Sequence, residues 1–163
     1  MENKLRNYFI EKKLTLSIAE SCTGGLICSL ITDTEGSSHF FNQGFVTYSE
    51  NAKMNILGVK QETLTNYGVT SKETAQEMAK GLVLKNFGEV GLSTTGILGP
   101  TGGSEKTPIG TVFIGFARKV HNESIECHSI EYRSKYTNRL EIKQDIAQKA
   151  LFYLHKFLNL NPD

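Results

Sequence analysis

No CxxC pair occurs in the sequence, and its cysteines, Cys22, Cys28 and Cys127, number only three. An odd, unpaired set excludes a disulfide framework and favours reduced thiols, which predicts a cytoplasmic protein. Net charge is also missing, since 18 Lys and Arg face 17 Asp and Glu. That balance gives no reason to expect direct nucleic-acid binding or an anionic membrane surface. No apolar run approaches the ~20 residues of a membrane span. The opening MENKLRNYFIEKK is too charged for a signal peptide. Four histidines, His39, His121, His128 and His155, stand in unlike contexts. None has a second His or a Cys at a familiar ligand spacing, so neither a metal nor another cofactor is expected. Low-complexity segments and solenoid-period repeats are absent too.

What remains is a chain of 163 residues, expected to form one domain with a real core. Leu5, Tyr8 and Phe9 fall at helical spacing, and Leu14 to Ala19 alternates as a strand does. Cys22 to Asp33, CTGGLICSLITD, reads as a helix packed on a sheet. TEGSSH, residues 34 to 39, is a loop by composition, and Phe40 to Tyr48 is rich in aromatic and β-branched residues, as strands are. Ser49 as cap and Gly58 as stop bound a helix over residues 49–58. A short helix over Gln61 to Tyr67 ends at Gly68. Thr70 with Glu73 makes a capping-box pattern ahead of Ala75, Met78, Ala79, Leu82 and Val83 at helical spacing. Val90 to Thr95 and Gly110 to Ala117 read as strands. Ile125 to Tyr132 would pair with the second of these about His121-Asn122-Glu123. The last helix carries Ile146, Ala147, Ala150, Leu151, Leu154, Phe157 and Leu158 in period, with Asn138 and Glu141 at its start. Helices alternating with strands, then a late hairpin, predict an α/β fold: three layers, α/β/α, about a mixed central sheet.

Three stretches can carry chemistry. In AESCTGG, Ser21 stands where strand gives way to helix, and backbone N–H groups at a helix start can hold an anion. Gly24 and Gly25 would let a ligand approach the backbone. Read locally, however, Ser21 is first a helix cap. In TYSENAK, Lys53 is a candidate base for a serine that has no suitable histidine. Its pKa, about 10.4 when free, would have to fall by roughly three units, equivalent to roughly 4 kcal/mol of burial or nearby positive charge. The ordinary fate of Lys53 is a solvated helix face, and that of Tyr48 a packed strand position. In TTGILGPTGGSEKTPIG, residues 94–110, five glycines and two prolines follow a strand. Such a loop either wraps a ligand's polar groups or merely connects. Lys106-Thr107 is not directly preceded by glycine, so no Walker pattern is present.

Together AESCTGG, GFVTYSENAK and TGILGPTGG followed by PIGTV resemble the CinA C-terminal domain family over nearly the whole chain. Characterised members of that family include nicotinamide mononucleotide (NMN) deamidases. The resemblance implies an α/β/α fold and hydrolysis of NMN to nicotinate mononucleotide and ammonia, without a metal. It implies Ser21 as nucleophile and Lys53 as its base, with Tyr48 and Thr95 at further active-site positions. Thr23, Gly24, Gly25, Gly96, Gly99, Gly102 and Gly103 would then contact the substrate. Arg139, in TNRLEIK, falls where the family has the arginine of a GDR motif, suited to the substrate phosphate, although Thr137 and Asn138 replace the Gly-Asp pair. Its bland reading is a solvated arginine in the first turn of the last helix. Leu98 stands where the family usually has alanine, and Thr107 where lysine is common before the proline. Larger members carry a further N-terminal domain with pyrophosphatase activity, which is not expected in a chain that begins at residue 1 with this domain. Two rivals to the NMN amidohydrolase stand beside it. One is a non-catalytic nucleotide-binding regulatory protein linked to competence or DNA damage, the other an amidohydrolase of a different amide. A homo-oligomer is compatible with the sequence but not demanded by it.

Overall fold

The computed structural model describes residues 2–120 and 124–160. The chain runs through α1 (Glu2–Lys12), β1 (Leu16–Glu20), α2 (Leu26–Thr32) and, after a 3₁₀ turn at Ser37–His39, β2 (Phe41–Val46). Next come α3 (Glu50–Ala52), a π turn (Lys53–Leu57), α4 (Gln61–Tyr67) and α5 (Lys72–Leu84). Strands β3 (Val90–Gly96), β4 (Thr111–Lys119) and β5 (Ile125–Arg133) precede the final helix, α6 (Arg139–Phe157). The five strands form one sheet in the order β2-β1-β3-β4-β5. β1 pairs in parallel with β2 and β3, whereas β3–β4 and β4–β5 are antiparallel. The sheet is therefore mixed, as the element order predicts. The β4–β5 pairing continues to Lys119 opposite Ile125. The turn expected at His121-Asn122-Glu123 lies outside the described residues.

All five residues of β1 are buried, which fits a central parallel strand covered on both faces. Its side chains alternate between two layers. Leu16 and Ile18 join Phe9 of α1, Ile27 and Ile31 of α2 and Ile146 of α6 in one cluster. Ala19 points the other way, to Leu57, Leu64, Met78 and Leu82. Helices thus cover both faces of the sheet.

Two boundaries differ from the sequence expectation. The helix read from Cys22 begins at Leu26, because Gly24 and Gly25 adopt φ of +60° and +98°. Left-handed residues cannot continue a right-handed helix, so the chain turns through residues 21–25 first. Ser21 is accordingly no helix cap. The cap of α5 is Ser71 rather than Thr70: its hydroxyl accepts from the Thr74 N–H at 3.1 Å. The 49–58 segment has the expected ends, with Ser49 accepting from Ala52 N–H and Gly58 at φ +76°. Between them the helix widens into a π turn at Lys53, a geometry often found at functional sites.

Candidate active site

Glu20 ends β1 and is itself fully buried. A buried carboxylate needs donors, and it takes three backbone N–H groups where α2 starts: Gly25 at 2.9 Å, Ile27 at 3.2 Å and Cys28 at 2.8 Å. The side chain thereby fills the positive end of α2 that the sequence suggested for an incoming anion. Its backbone carbonyl also accepts from Thr47 N–H at 2.8 Å, which binds β1 to the chain entering the π turn.

Ser21 follows directly, nearly buried, its N–H donating to the Thr94 carbonyl of β3 at 3.0 Å. Lys53 meets it from the π turn. The lysine is 0 % exposed, and its Nζ donates to Ser21 Oγ at 3.0 Å. It also donates to the carbonyls of Thr47 at 2.8 Å and Tyr48 at 3.2 Å. Burial holds the Lys53 amine below the ordinary lysine range, against the charges of Cys22 and Glu50. The opposition from Cys22 lapses near neutrality, because burial pushes that thiol up to about 12 and keeps it protonated. Cys22, though beside Ser21, is for the same reason a poor nucleophile.

Three oxygens thus surround the amine: Ser21 Oγ and the Thr47 and Tyr48 carbonyls. Uncharged, Lys53 has two N–H bonds and one lone pair. If the N–H bonds go to the two carbonyls, the lone pair is left for the Ser21 hydroxyl proton. Burial favours that neutral form and the carbonyls orient it.

A cleft of about 320 Å³ opens over Ser21, at the small end for a small-molecule site. Ser21, Tyr48, Thr95, Gly96, Gly99 and Arg139 all line it. Thr95, essentially buried, donates its hydroxyl to the Val69 carbonyl at 2.8 Å, so what it offers the cleft is an acceptor lone pair. Tyr48 is 63 % exposed and forms part of the rim, which is neither the packed strand position nor an enclosed one. Arg139 is exposed at the first turn of α6, with Nη1 donating to the Gly99 carbonyl, so its guanidinium faces the cleft rather than bulk solvent alone.

Other expected substrate contacts lie elsewhere. Thr23 is fully buried and bonds to Thr94 Oγ1 at 2.8 Å. Gly24 and Gly25 shape the turn before α2 and do not line the cleft. Gly102 and Gly103 border a neighbouring hollow of about 840 Å³, which shares Thr101 with the cleft. Ser134, in that hollow, donates its hydroxyl to the Asp145 carboxylate, whereas the Ser21–Lys53 pair stands at the smaller cleft. Residues not expected as site residues complete the wall: Cys22, Val69, Thr70, Ile97, Leu98 and Thr101. Leu98, the departure from alanine, is buried there. Among the described residues no group of three or more His, Cys, Asp or Glu could hold a metal ion, and no helix is long and apolar enough to cross a membrane.

The model of the CinA C-terminal domain matches residues 1–158. The chain belongs to the CinA C-terminal domain family. A CinA-like protein of Endomicrobium trichonymphae is 44% identical over 149 residues, 91% of this chain and 35% of that one. One from Syntrophus aciditrophicus is 42% identical over 158 residues, 97% of this chain and 36% of that one. The chain thus spans about a third of the length of the curated relatives it matches. The CinA fold recurs in the crystal structure of competence/damage inducible protein CihA from Agrobacterium tumefaciens, at TM-score 0.83 and 38% identity, over 94% of this chain and 90% of that one. A CinA superfamily protein from Enterobacter cloacae gives TM-score 0.83 at 29% identity, over 96% and 89% of the two chains.

Proposed function

We propose that this chain is a nicotinamide-nucleotide amidohydrolase, converting NMN and water to nicotinate mononucleotide and ammonia. The observation that carries the reading is the fully buried Lys53 amine 3.0 Å from Ser21 Oγ. Neutral Lys53 takes the Ser21 proton as Oγ attacks the carboxamide carbon. Glu20 occupies the α2 N–H groups, so the backbone donors next to the oxyanion are those of Cys22 and Thr23, in the turn after Ser21. Protonated Lys53 then returns its proton to the amide nitrogen as the C–N bond breaks, so that ammonia departs and the acyl group stays on Ser21 as an ester. Water, deprotonated by the neutral lysine, hydrolyses that ester and restores Ser21. Arg139 meets the phosphate, and the Thr95 hydroxyl oxygen accepts a hydrogen bond from the carboxamide or ribose.

The rival is a nucleotide-binding regulatory protein without catalysis, and the competence- and damage-related names of relatives favour it. A binding module has no use for a desolvated amine held against a serine hydroxyl, which costs stability. The deciding experiment supplies NMN and measures ammonia. Release by the wild type and none by Ser21→Ala is the expected outcome. If the wild type releases none where a known deamidase does, the reading fails; full activity in Ser21→Ala would sink the mechanism.

A further inference from the structure

The π turn holds Lys53 at one end and the Leu57 carbonyl near the other. That carbonyl rests on helix α5 at Gly81. A Cβ built on Gly81 would lie 2.0 Å from Leu57 O and 2.9 Å from Leu57 C, far inside any tolerated contact. Glycine weakens a helix, yet Gly81 stands within the last turn of the 13-residue α5, ahead of the buried Leu82 and Val83. We propose, on the reading that Lys53 is the base, that Gly81 is a positioning residue for it: the missing side chain lets the Leu57 carbonyl seat against α5 and sets the Lys53 amine against Ser21.

The other side of α5 explains why the turn, not the helix, would give way to an added methyl. There α5 already sits backbone against sheet. A Cβ on Gly115 of β4 would fall 2.1 Å from the Ala75 carbonyl oxygen, and one on Gly91 of β3 2.5 Å from that of Ala79. Ser93 fixes the same helix by donating to the Ala75 carbonyl at 2.6 Å. The helix has no space behind it to retreat into. A methyl at Gly81 therefore displaces the π turn, and with it Lys53. Displacement lengthens the Lys53–Ser21 approach and wets the amine. The charged or ionisable groups that bear on that amine, Cys22 after β1 and Glu50 on α3, are not on α5. A change caused by Gly81 is thus one of placement, not of a lost charge.

The test is Gly81→Ala in the full chain, with two readouts besides thermal unfolding and circular dichroism. One is steady-state turnover of NMN. The other is the pH dependence of Lys53 acylation by acetic anhydride, followed by mass spectrometry, which needs no substrate. In the folded variant kcat should fall at least about tenfold, since a misplacement of ~1 Å costs that much or more, while KM stays within about twofold. The midpoint of Lys53 acylation should rise by about half a pH unit or more, toward the value of a solvated lysine. A merely structural glycine would lower the melting temperature and leave that midpoint in place; an unmoved midpoint in the folded variant overturns the proposal. If Gly81→Ala does not fold, Gly58→Ala perturbs the same end of the turn more gently. Gly58 closes the turn at φ +76°, and a Cβ there meets only Lys85 Cε at 3.5 Å. Its backbone strain should move the Lys53 midpoint in the same direction by less, and no movement overturns the proposal. A wild type that leaves NMN untouched, while the variant still shifts the midpoint, sinks the amidohydrolase reading and leaves the positioning role standing.

Discussion

The two faces of the central sheet are packed by different means. Toward α1, α2 and α6 the contacts are side chain on side chain: Phe9 stacks on Phe40 at 5.4 Å and Phe116 on Phe157 at 5.3 Å, over Leu16, Ile18, Leu92 and Ile114. Toward α5 side chains such as Ala19, Met78 and Leu82 also pack, but there the backbones themselves approach, with Gly115 against the Ala75 carbonyl, Gly91 against that of Ala79, and Ser93 donating to Ala75. Side chains can repack around a lost methylene, because rotamers adjust. Carbonyls cannot. The face with less freedom is the one that carries the π turn and Lys53. The chemistry is thus mounted on the layer where positions are least negotiable, as a pair held at 3.0 Å requires.

The largest expected effect sharpens that division of labour. Ser21→Ala and Lys53→Ala should each lower kcat for NMN by at least about 10⁴-fold, because a nucleophile and its base act as one unit. The double variant should be hardly worse than either single one. Additive losses in steady-state kinetics would mean that the two residues act separately.

A second comparison sets neighbouring residues of β4 against each other. Ile114→Val removes one methylene from the side-chain face and should cost about 0.5–1.5 kcal/mol. Gly115→Ala adds one methyl to the backbone face, 2.1 Å from a carbonyl oxygen, and should cost more, about 1–3 kcal/mol or above. Urea unfolding of both measures the difference. A milder Gly115→Ala would break the contrast between the faces.

The legible parts of the sequence were those decided locally. The buried period in α6, the Ser49 and Gly58 ends of the Lys53 segment and the bounds of α4 each follow from propensity, capping and apolar spacing. Ser21, Lys53, Tyr48, Thr95 and Arg139 also meet at one cleft or directly behind it, as the family resemblance implies. What local patterns hide is close approach. Nothing near Gly81 in sequence tells of the Leu57 carbonyl, and LSIAE reads as a strand without showing that Glu20 turns back to cap the following helix. One clue was present: a carboxylate ending a short strand, Glu20 after Leu16, Ser17, Ile18 and Ala19, must find donors if it is buried. The burial of the Thr23 side chain was hidden for the same reason, since its bond to Thr94 spans 71 positions.

Arg139 tests whether the side-chain layer contributes to function. It belongs to α6, yet its guanidinium lines the cleft. Arg139→Ala should raise KM for NMN about 10- to 100-fold, the worth of a charge-assisted hydrogen bond, and leave the melting temperature nearly unchanged. Nicotinamide riboside, which lacks the phosphate, should be turned over equally by variant and wild type. A similar loss with both substrates would assign Arg139 to shaping the Gly99 loop, whose carbonyl it holds.

The smallest effect concerns what burial of Lys53 costs. Its amine titrates below the ordinary lysine range in the folded chain and near ~10.4 in the unfolded one. Below the folded value both states carry the proton, and the cost of desolvating the charge is fully present. Between the two values only the unfolded chain binds it, so stability rises with pH across that window. Lys53→Met lacks the titration, and its other ionisable groups match those of the wild type. The stability of Lys53→Met minus that of wild type should therefore be flat at low pH and shrink steadily as pH climbs toward ~10.4. Urea unfolding of the two proteins at a series of pH values reads it directly. A difference that stays constant through the alkaline range would mean that Lys53 keeps its solution affinity for the proton. The close-packed face would then not have made it a base.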